Sequence, residues 1–352
     1  MREDSARHLE KDTPALGRRK LAALPVSRFP AAAAAESTRV GAGNRKIGTG
    51  RKDMASREME ALKRIMAMLG QGHTAAFGAD LNLEHIRSAF ARTRAQMPVE
   101  RGVTFLPDTF GGVETECAVP EGERGDAAVL YSHGGGLICG DAKTSRGYAS
   151  LLAAETGYPV YSYSYRLAPE NPYPAALDDA MAVYREVAAR HPGKSLFLLG
   201  ESSGGSLSLG MGLKARDQGL VMPRGIIVYS PILDLTGALD RRFPGNCDPA
   251  VSPEGLARLA ELTCKKEERK DPYVSPYYAD FAGLCPIFVA WDESETLSVD
   301  ASLVEKKARK AGVPVTAEHF PDCFHAFPIS GRSTEEGRKV LRDTVAFMRA
   351  HG

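Results

Sequence analysis

The run Phe197-Leu198-Leu199-Gly200-Glu201-Ser202-Ser203-Gly204-Gly205 constrains the fold more than any other part of the chain. Its apolar start reads as a buried strand, and it passes directly into Gly-x-Ser-x-Gly with a helix-like segment from Ser206. A strand-to-helix turn this tight strains its central residue and pushes that side chain out at the top of a sheet. Glycines two before and two after Ser202 relieve the crowding such a turn creates. The signature acquires meaning only with partners in the right order and context.

The first partner is His133-Gly134-Gly135-Gly136, which follows the continuous apolar run Ala127–Ser132, a central-strand pattern. Acyl transfer needs preorganised donors for the oxyanion of a tetrahedral intermediate, and losing one such donor costs roughly 3–4 kcal/mol of transition-state stabilisation. Consecutive glycines let the main chain approach a substrate with no Cβ in the way. The backbone N–H groups of Gly135, Gly136 and Ser203 are the candidate oxyanion donors.

A base should lie late in the chain, in the order Ser…acid…His. Of the 8 histidines, His8 and His351 are terminal, His73 and His85 fall in an N-terminal helical region, and His319 sits inside an alternating strand pattern as a surface residue. His325 follows that strand in the loop Pro321-Asp322-Cys323-Phe324-His325, where an imidazole can reach over the sheet edge to Ser202. The acid must reach Nδ1 to fix the tautomer. Asp292, Glu293, Glu295 and Asp300 all follow the strand Pro286–Trp291. Spacing within the strand-loop-helix unit favours Glu295, with Asp292 the alternative.

These motifs, with Tyr165-Arg166-Leu167-Ala168-Pro169-Glu170, Pro174-Ala175-Ala176-Leu177-Asp178-Asp179 and Asp271-Pro272-Tyr273-Val274-Ser275-Pro276, resemble those of the bacterial hormone-sensitive-lipase-like esterases, a branch of the α/β-hydrolases. The resemblance spans roughly residues 55 to 350. It implies an α/β-hydrolase fold: an eight-stranded, mostly parallel sheet flanked by helices, with a helical cap. It also implies a serine carboxylester hydrolase acting on short-chain acyl esters through Ser202, Glu295 and His325 and an acyl-enzyme, with no cofactor and no metal. Arg166, Glu170 and Asp179 are expected to be scaffolding charges beside the oxyanion loop. The chain departs from the family's usual pattern with Glu at 295 and 201 where Asp is common, and Ser at 203 where Ala is frequent. Ser203 would still donate its backbone N–H. The same triad also serves amidases, deacetylases and lactone hydrolases. A non-catalytic receptor on this scaffold, as in the plant gibberellin receptors, would lack a triad member, typically the histidine.

A formal net charge of +1 with 25% charged residues suggests neither nucleic acid nor an anionic membrane as partner. The expected partner is a small-molecule ester, and a homodimer stays open. The 6 cysteines form no C-x-x-C pair, which argues against a zinc site or disulfide framework and fits a reduced, cytoplasmic setting. Cys139 and Cys323 lie near the motifs but read as packing residues. No apolar stretch approaches the roughly 20 residues that span a bilayer.

Residues 1–53 are rich in Lys and Arg and poor in large apolar residues. Pro25, Arg28 and Pro30 break any apolar core after Arg18-Arg19-Lys20, against a twin-arginine signal. They read as a disordered or non-native extension ahead of a start near Met54. Residues 54–98 form helices that the resemblance places in the cap, with Ile86, Phe90 and Ala91 apolar in the second. Residues 99–352 form the catalytic domain. Strands are expected at 103–106, 114–119, 127–132, 159–165, 195–200, 226–230, 286–291 and 314–320, the later ones alternating with helices near 145–156, 175–190, 203–217, 298–311 and 335–350. This alternation means a parallel sheet covered on both faces, with its motifs at the C-terminal edge. Residues 236–282 interrupt the rhythm as a cap insertion, with a short amphipathic piece at 253–264.

Overall fold

A computed structural model describes residues 55–70, 82–123, 125–246 and 248–352, all within the unit Arg51–Gly352. The proposed extension 1–53, the start at Met54, and Cys247 lie outside the described residues. The elements run α1 (Arg57–Gly70), α2 (Leu83–Arg94), β1 (Val103–Phe110), β2 (Val113–Pro120), β3 (Ala127–Ser132), α3 (Arg146–Thr156), β4 (Val160–Tyr163) and α4 (Ala175–Arg190). They continue with β5 (Ser195–Glu201), α5 (Ser203–Asp217), β6 (Gly225–Tyr229), α6 (Pro253–Thr263), β7 (Ile287–Asp292), α7 (Ser298–Lys310), β8 (Val315–Phe320) and α8 (Glu335–His351).

The strands form one 8-stranded sheet in the order β1-β2-β4-β3-β5-β6-β7-β8. Only the β1–β2 and β2–β4 pairings are antiparallel. Every residue of β3, β5, β6 and β7 is buried, as expected for parallel strands covered on both faces. The period of two divides them cleanly. Leu130, Leu198, Val228 and Val289 pack against α4, α5 and α7, whereas Tyr131, Leu199, Tyr229 and Phe288 face α3 and α8. Helix ends follow local chemistry: Ser252 caps α6 by accepting from Gly255 N–H, Thr334 caps α8 by accepting from Gly337 N–H, and Gly219 and Gly312 turn left-handed just past α5 and α7.

β1 outruns the expected 103–106 by four residues, to Phe110, because Pro107 does not end it. β1 is an edge strand, so the missing proline N–H breaks no ladder. The strand then turns into β2 through Gly111-Gly112, both at positive φ, with Phe110 opposite Val113. β4 is shorter than 159–165, since the chain leaves the sheet after Tyr163.

A third apolar cluster sits apart from these two cores. It joins Ile86 of α2, Leu256, Leu259 and Ala260 of α6, and Ile138, Ala168, Ile232 and Leu297 from loops at the sheet's C-terminal edge. The N-terminal helix and the insertion at 236–282 thus meet over the same loops. In α1, Met59 joins the core beside α8 with Leu62 packed against it, and Leu62 and Ile65 also line a cavity. In the expected apolar trio of α2, Ala91 is exposed instead.

The insertion is tied down by one buried ion pair. Arg241 donates from Nε and Nη2 to Asp300 of α7, both at 2.7 Å, with side chains 6% and 0% exposed. Asp300 also accepts from Leu233 N–H. Removing one partner leaves a buried charge unpaired, so Arg241→Ala should lower stability by about 3–5 kcal/mol. Urea unfolding measures this through the midpoint, and a loss below about 1 kcal/mol would show that the pair does not anchor the insertion. Among the described residues, no helix is long and apolar enough to cross a membrane.

Candidate active site

Ser202 sits between β5 and α5 at φ 54, ψ −126, left-handed for a residue with a Cβ. Its N–H donates to Tyr229 O of the neighbouring strand at 2.8 Å. The turn depends on close approach: a Cβ on Gly204 would lie 2.0 Å from Ser132 O, and one on Gly200 2.2 Å from Gly204 O. Bare backbone here lets α5 start against β3 and brings the His133–Gly136 loop alongside. A Cβ on Gly134 would stand 3.2 Å from that of Ser202.

In that loop the carbonyl of Gly134 meets His133 Nδ1 at 2.8 Å, and the carbonyl of Gly135 accepts from Ile138 and Cys139 N–H, both at 3.1 Å. A trans peptide points its N–H opposite to its C=O. With the two carbonyls turned into the protein, the N–H groups of Gly135 and Gly136 face away from those anchors, and among the described residues neither has an acceptor. Ser203 opens α5, where an N–H has no partner one turn back and the helix dipole favours an anion. Tyr165 fixes His133 by stacking on its ring at 4.2 Å and donating to its carbonyl at 2.9 Å.

His325 lies in the loop after β8, set by left-handed residues Asp322 and Ala326. Cys323 N–H donates to Asp292 Oδ1 at 3.0 Å, and Ala326 N–H to Ser230 Oγ at 3.0 Å. His325 Nδ1 then meets Glu295 Oε2 at 2.7 Å, with the Glu295 side chain fully buried and His325 10% exposed. The other acids are committed elsewhere: Asp292 also accepts from Ser294, Glu293 meets the exposed His319, and Asp300 holds Arg241. Burial pushes the Glu295 carboxyl up to about 7, against the pull of His325. Burial disfavours charge on His325, but the Glu295 hydrogen bond and charge outweigh it, and the imidazole lies above its ordinary range.

Asp248, from the insertion, stands close by. One oxygen of Asp248, one of Glu295 and a ring nitrogen of His325 all lie within 4.8 Å of one another. Asp248 is held by the N–H groups of Ala250, Val251 and Thr296 at 2.9, 3.0 and 3.1 Å. Both Asp248 oxygens and His325 Nδ1 are thus engaged in hydrogen bonds. Nothing local in the sequence distinguishes Asp248 from other loop acids. Arg94, half-buried here, did carry a signal, since it continues the helical face of Ile86 and Phe90 at four-residue spacing.

Ser202, His325 and the glycine loop open into one cavity of about 530 Å³, walled mainly by apolar groups such as Phe90, Met97, Leu256 and Leu259. Cys139 and Cys323 are buried packing residues, and burial pushes the Cys139 thiol up to about 12. Arg166 grips Asp179 at 2.8 Å and Glu170 grips Arg87 of α2 at 2.7 Å, both beside the loop after β4.

Comparison with known proteins agrees with this architecture. The family model of the alpha/beta hydrolase fold matches residues 129–329. The chain is 32% identical to an acetyl-hydrolase of Streptomyces hygroscopicus over 68% of its length and 81% of that protein. It is 32% identical to an esterase of Acinetobacter venetianus, over 71% and 83% respectively. A hormone-sensitive lipase from a metagenome library superposes with a TM-score of 0.77 at 30% identity, covering 85% of this chain and 99% of that one. By this family match and these likenesses, the chain belongs to the bacterial hormone-sensitive-lipase-like esterases of the alpha/beta-hydrolase fold and is a carboxylesterase-type hydrolase.

Proposed function

We propose that this esterase cleaves short-chain acyl esters through a Ser202–His325–Glu295 triad and an acyl-enzyme. With Nδ1 engaged by Glu295, His325 has Nε2 free to take the Ser202 hydroxyl proton. Ser202 Oγ then attacks the ester carbonyl carbon, and its oxygen becomes an oxyanion held by the N–H groups of Gly135, Gly136 and Ser203. Collapse breaks the bond to the alcohol oxygen, which leaves with the proton from His325. Water, deprotonated by the same imidazole, attacks the acyl carbon and regenerates Ser202. The observation that carries the reading is His325, bonded to the buried Glu295, opening into the same cavity as the strained Ser202 turn.

Support for a short acyl group comes from relatives named for acetyl esters, and from how closely the cap covers the loop. A Cβ on Gly135 would lie 3.3 Å from Phe90, and one on Gly136 2.8 Å from Leu259. Across p-nitrophenyl acetate, butyrate and decanoate, kcat/KM should peak at acetate or butyrate. A maximum at decanoate would refute the short-chain assignment.

The pH profile follows from the charges around His325, which are Glu295, Asp248 and Glu201. A general base must be neutral, so kcat/KM rises as pH passes through the imidazole pKa. Because that pKa is raised, the acidic limb should lie above the ~6.5 of an unperturbed histidine. Asp248→Asn removes a negative charge that favours the imidazolium, so the limb should move to lower pH. A limb below 6.5 in the wild type, or no movement in Asp248→Asn, would contradict this electrostatic reading.

A further inference from the structure

The two positions where the chain departs from its family's elbow, Glu201 and Ser203, both reach the oxyanion loop. Glu201 Oε1 accepts from Gly134 N–H at 2.9 Å. On the far side, Ser203 Oγ accepts from Leu137 N–H at 3.2 Å. These bonds flank Gly135 and Gly136 and leave both of those N–H groups unpartnered. The loop between the clamps is not relaxed on its own: Gly135, Gly136 and Leu137 have φ of 115, 65 and 60, and Leu137 has a Cβ that disfavours that region. Such a run persists only where its ends are pinned.

The Glu201 clamp has a further anchor. Arg94 Nη2 of α2 donates to the same Oε1 at 2.7 Å, with Glu201 0% and Arg94 11% exposed. The guanidinium also lies over the Phe90 ring at 5.0 Å. The N-terminal helix thus fixes the carboxylate that fixes Gly134, and Ser203 fixes Leu137 without help from the cap.

We infer that the Glu201 and Ser203 side chains are positioning residues that aim the Gly135 and Gly136 N–H groups at the developing oxyanion, with Arg94 locking Glu201 in place. The inference rests on the Ser202 reading above. Since it concerns the transition state, the effect belongs in kcat and in the binding of a tetrahedral mimic, not in KM.

The test compares wild type with Ser203→Ala and Glu201→Gln, measuring kcat, KM, thermal midpoint and inhibition by an aryl trifluoromethyl ketone, which adds a serine hydroxyl to give a hemiketal oxyanion. Ser203→Ala should lose about three- to tenfold in kcat, the worth of one hydrogen bond, with KM nearly unchanged. The ketone's inhibition constant should weaken by the same factor. Glu201→Gln keeps an oxygen for Gly134 but loses the charge facing Arg94, and its losses in kcat and ketone affinity should again match. If Glu201→Gln fails to fold, Ser203→Ala decides. Unchanged kcat, or a kcat loss without weaker ketone binding, would overturn the inference. Failure of the ketone to inhibit the wild type would instead sink the nucleophile assignment.

Discussion

Ser202→Ala should leave a folded protein whose kcat on p-nitrophenyl butyrate falls on the order of 10⁶-fold, the loss found when a triad serine is removed elsewhere. Among the described residues, the hydroxyl has no hydrogen-bond partner. The turn is held by the Ser202 N–H bond to Tyr229, and by α5 starting against β3, and alanine preserves both. The residual rate would come from binding and from the N–H groups of Gly135, Gly136 and Ser203. Circular dichroism and the thermal midpoint establish folding, and active-site titration excludes contaminating wild type. A folded variant retaining more than about a hundredth of wild-type kcat would mean that another group attacks the ester.

Glu295→Gln should cost on the order of 10⁴-fold in kcat, the size seen when a triad carboxylate becomes an amide. An amide can present its N–H to Nδ1, which turns the imidazole so that the proton sits on the nitrogen meant to accept it from Ser202. It also removes the charge that stabilises the imidazolium. Asp292→Asn should cost far less, because Asp292 holds the backbone of Cys323 and the Ser294 hydroxyl rather than the ring. Measured side by side in folded variants, a larger kcat loss for Asp292→Asn would reverse the assignment.

What could be read from the sequence was whatever is written contiguously. The β5–α5 turn carries its own glycines, and the glycine loop follows directly on β3. His325 comes just after β8 in the expected chain order. The central strands were legible because full burial on both faces leaves uninterrupted apolar runs. The full length of the edge strand β1 is not legible at Pro107, because proline forbids only an interior ladder position and edge status is a property of the whole sheet.

The same limit hid what α2 and residues 236–282 bring to the candidate site. Arg94 and Glu201 are 107 positions apart, and Asp248 is paired with Thr296 at a separation of 48. Loop acids and helix-end arginines are ordinarily solvated, so only the packing of α2 and the insertion onto the sheet edge gives these two their neighbours. Arg94 could have been suspected from its place below Ile86 and Phe90 on one helical face. The departures at 201 and 203 were visible as letters, but which backbone N–H each would hold depends on a loop far upstream.

The most direct test of the central claim is covalent labelling with a fluorophosphonate, which phosphonylates a serine activated by its triad. Intact-mass analysis should show one adduct per folded chain, and peptide mapping should place it on Ser202. Labelling should vanish in Ser202→Ala and slow greatly in Glu295→Gln. A folded wild-type enzyme that hydrolyses esters yet takes no label, or that is labelled equally in Ser202→Ala, would contradict the triad proposed here.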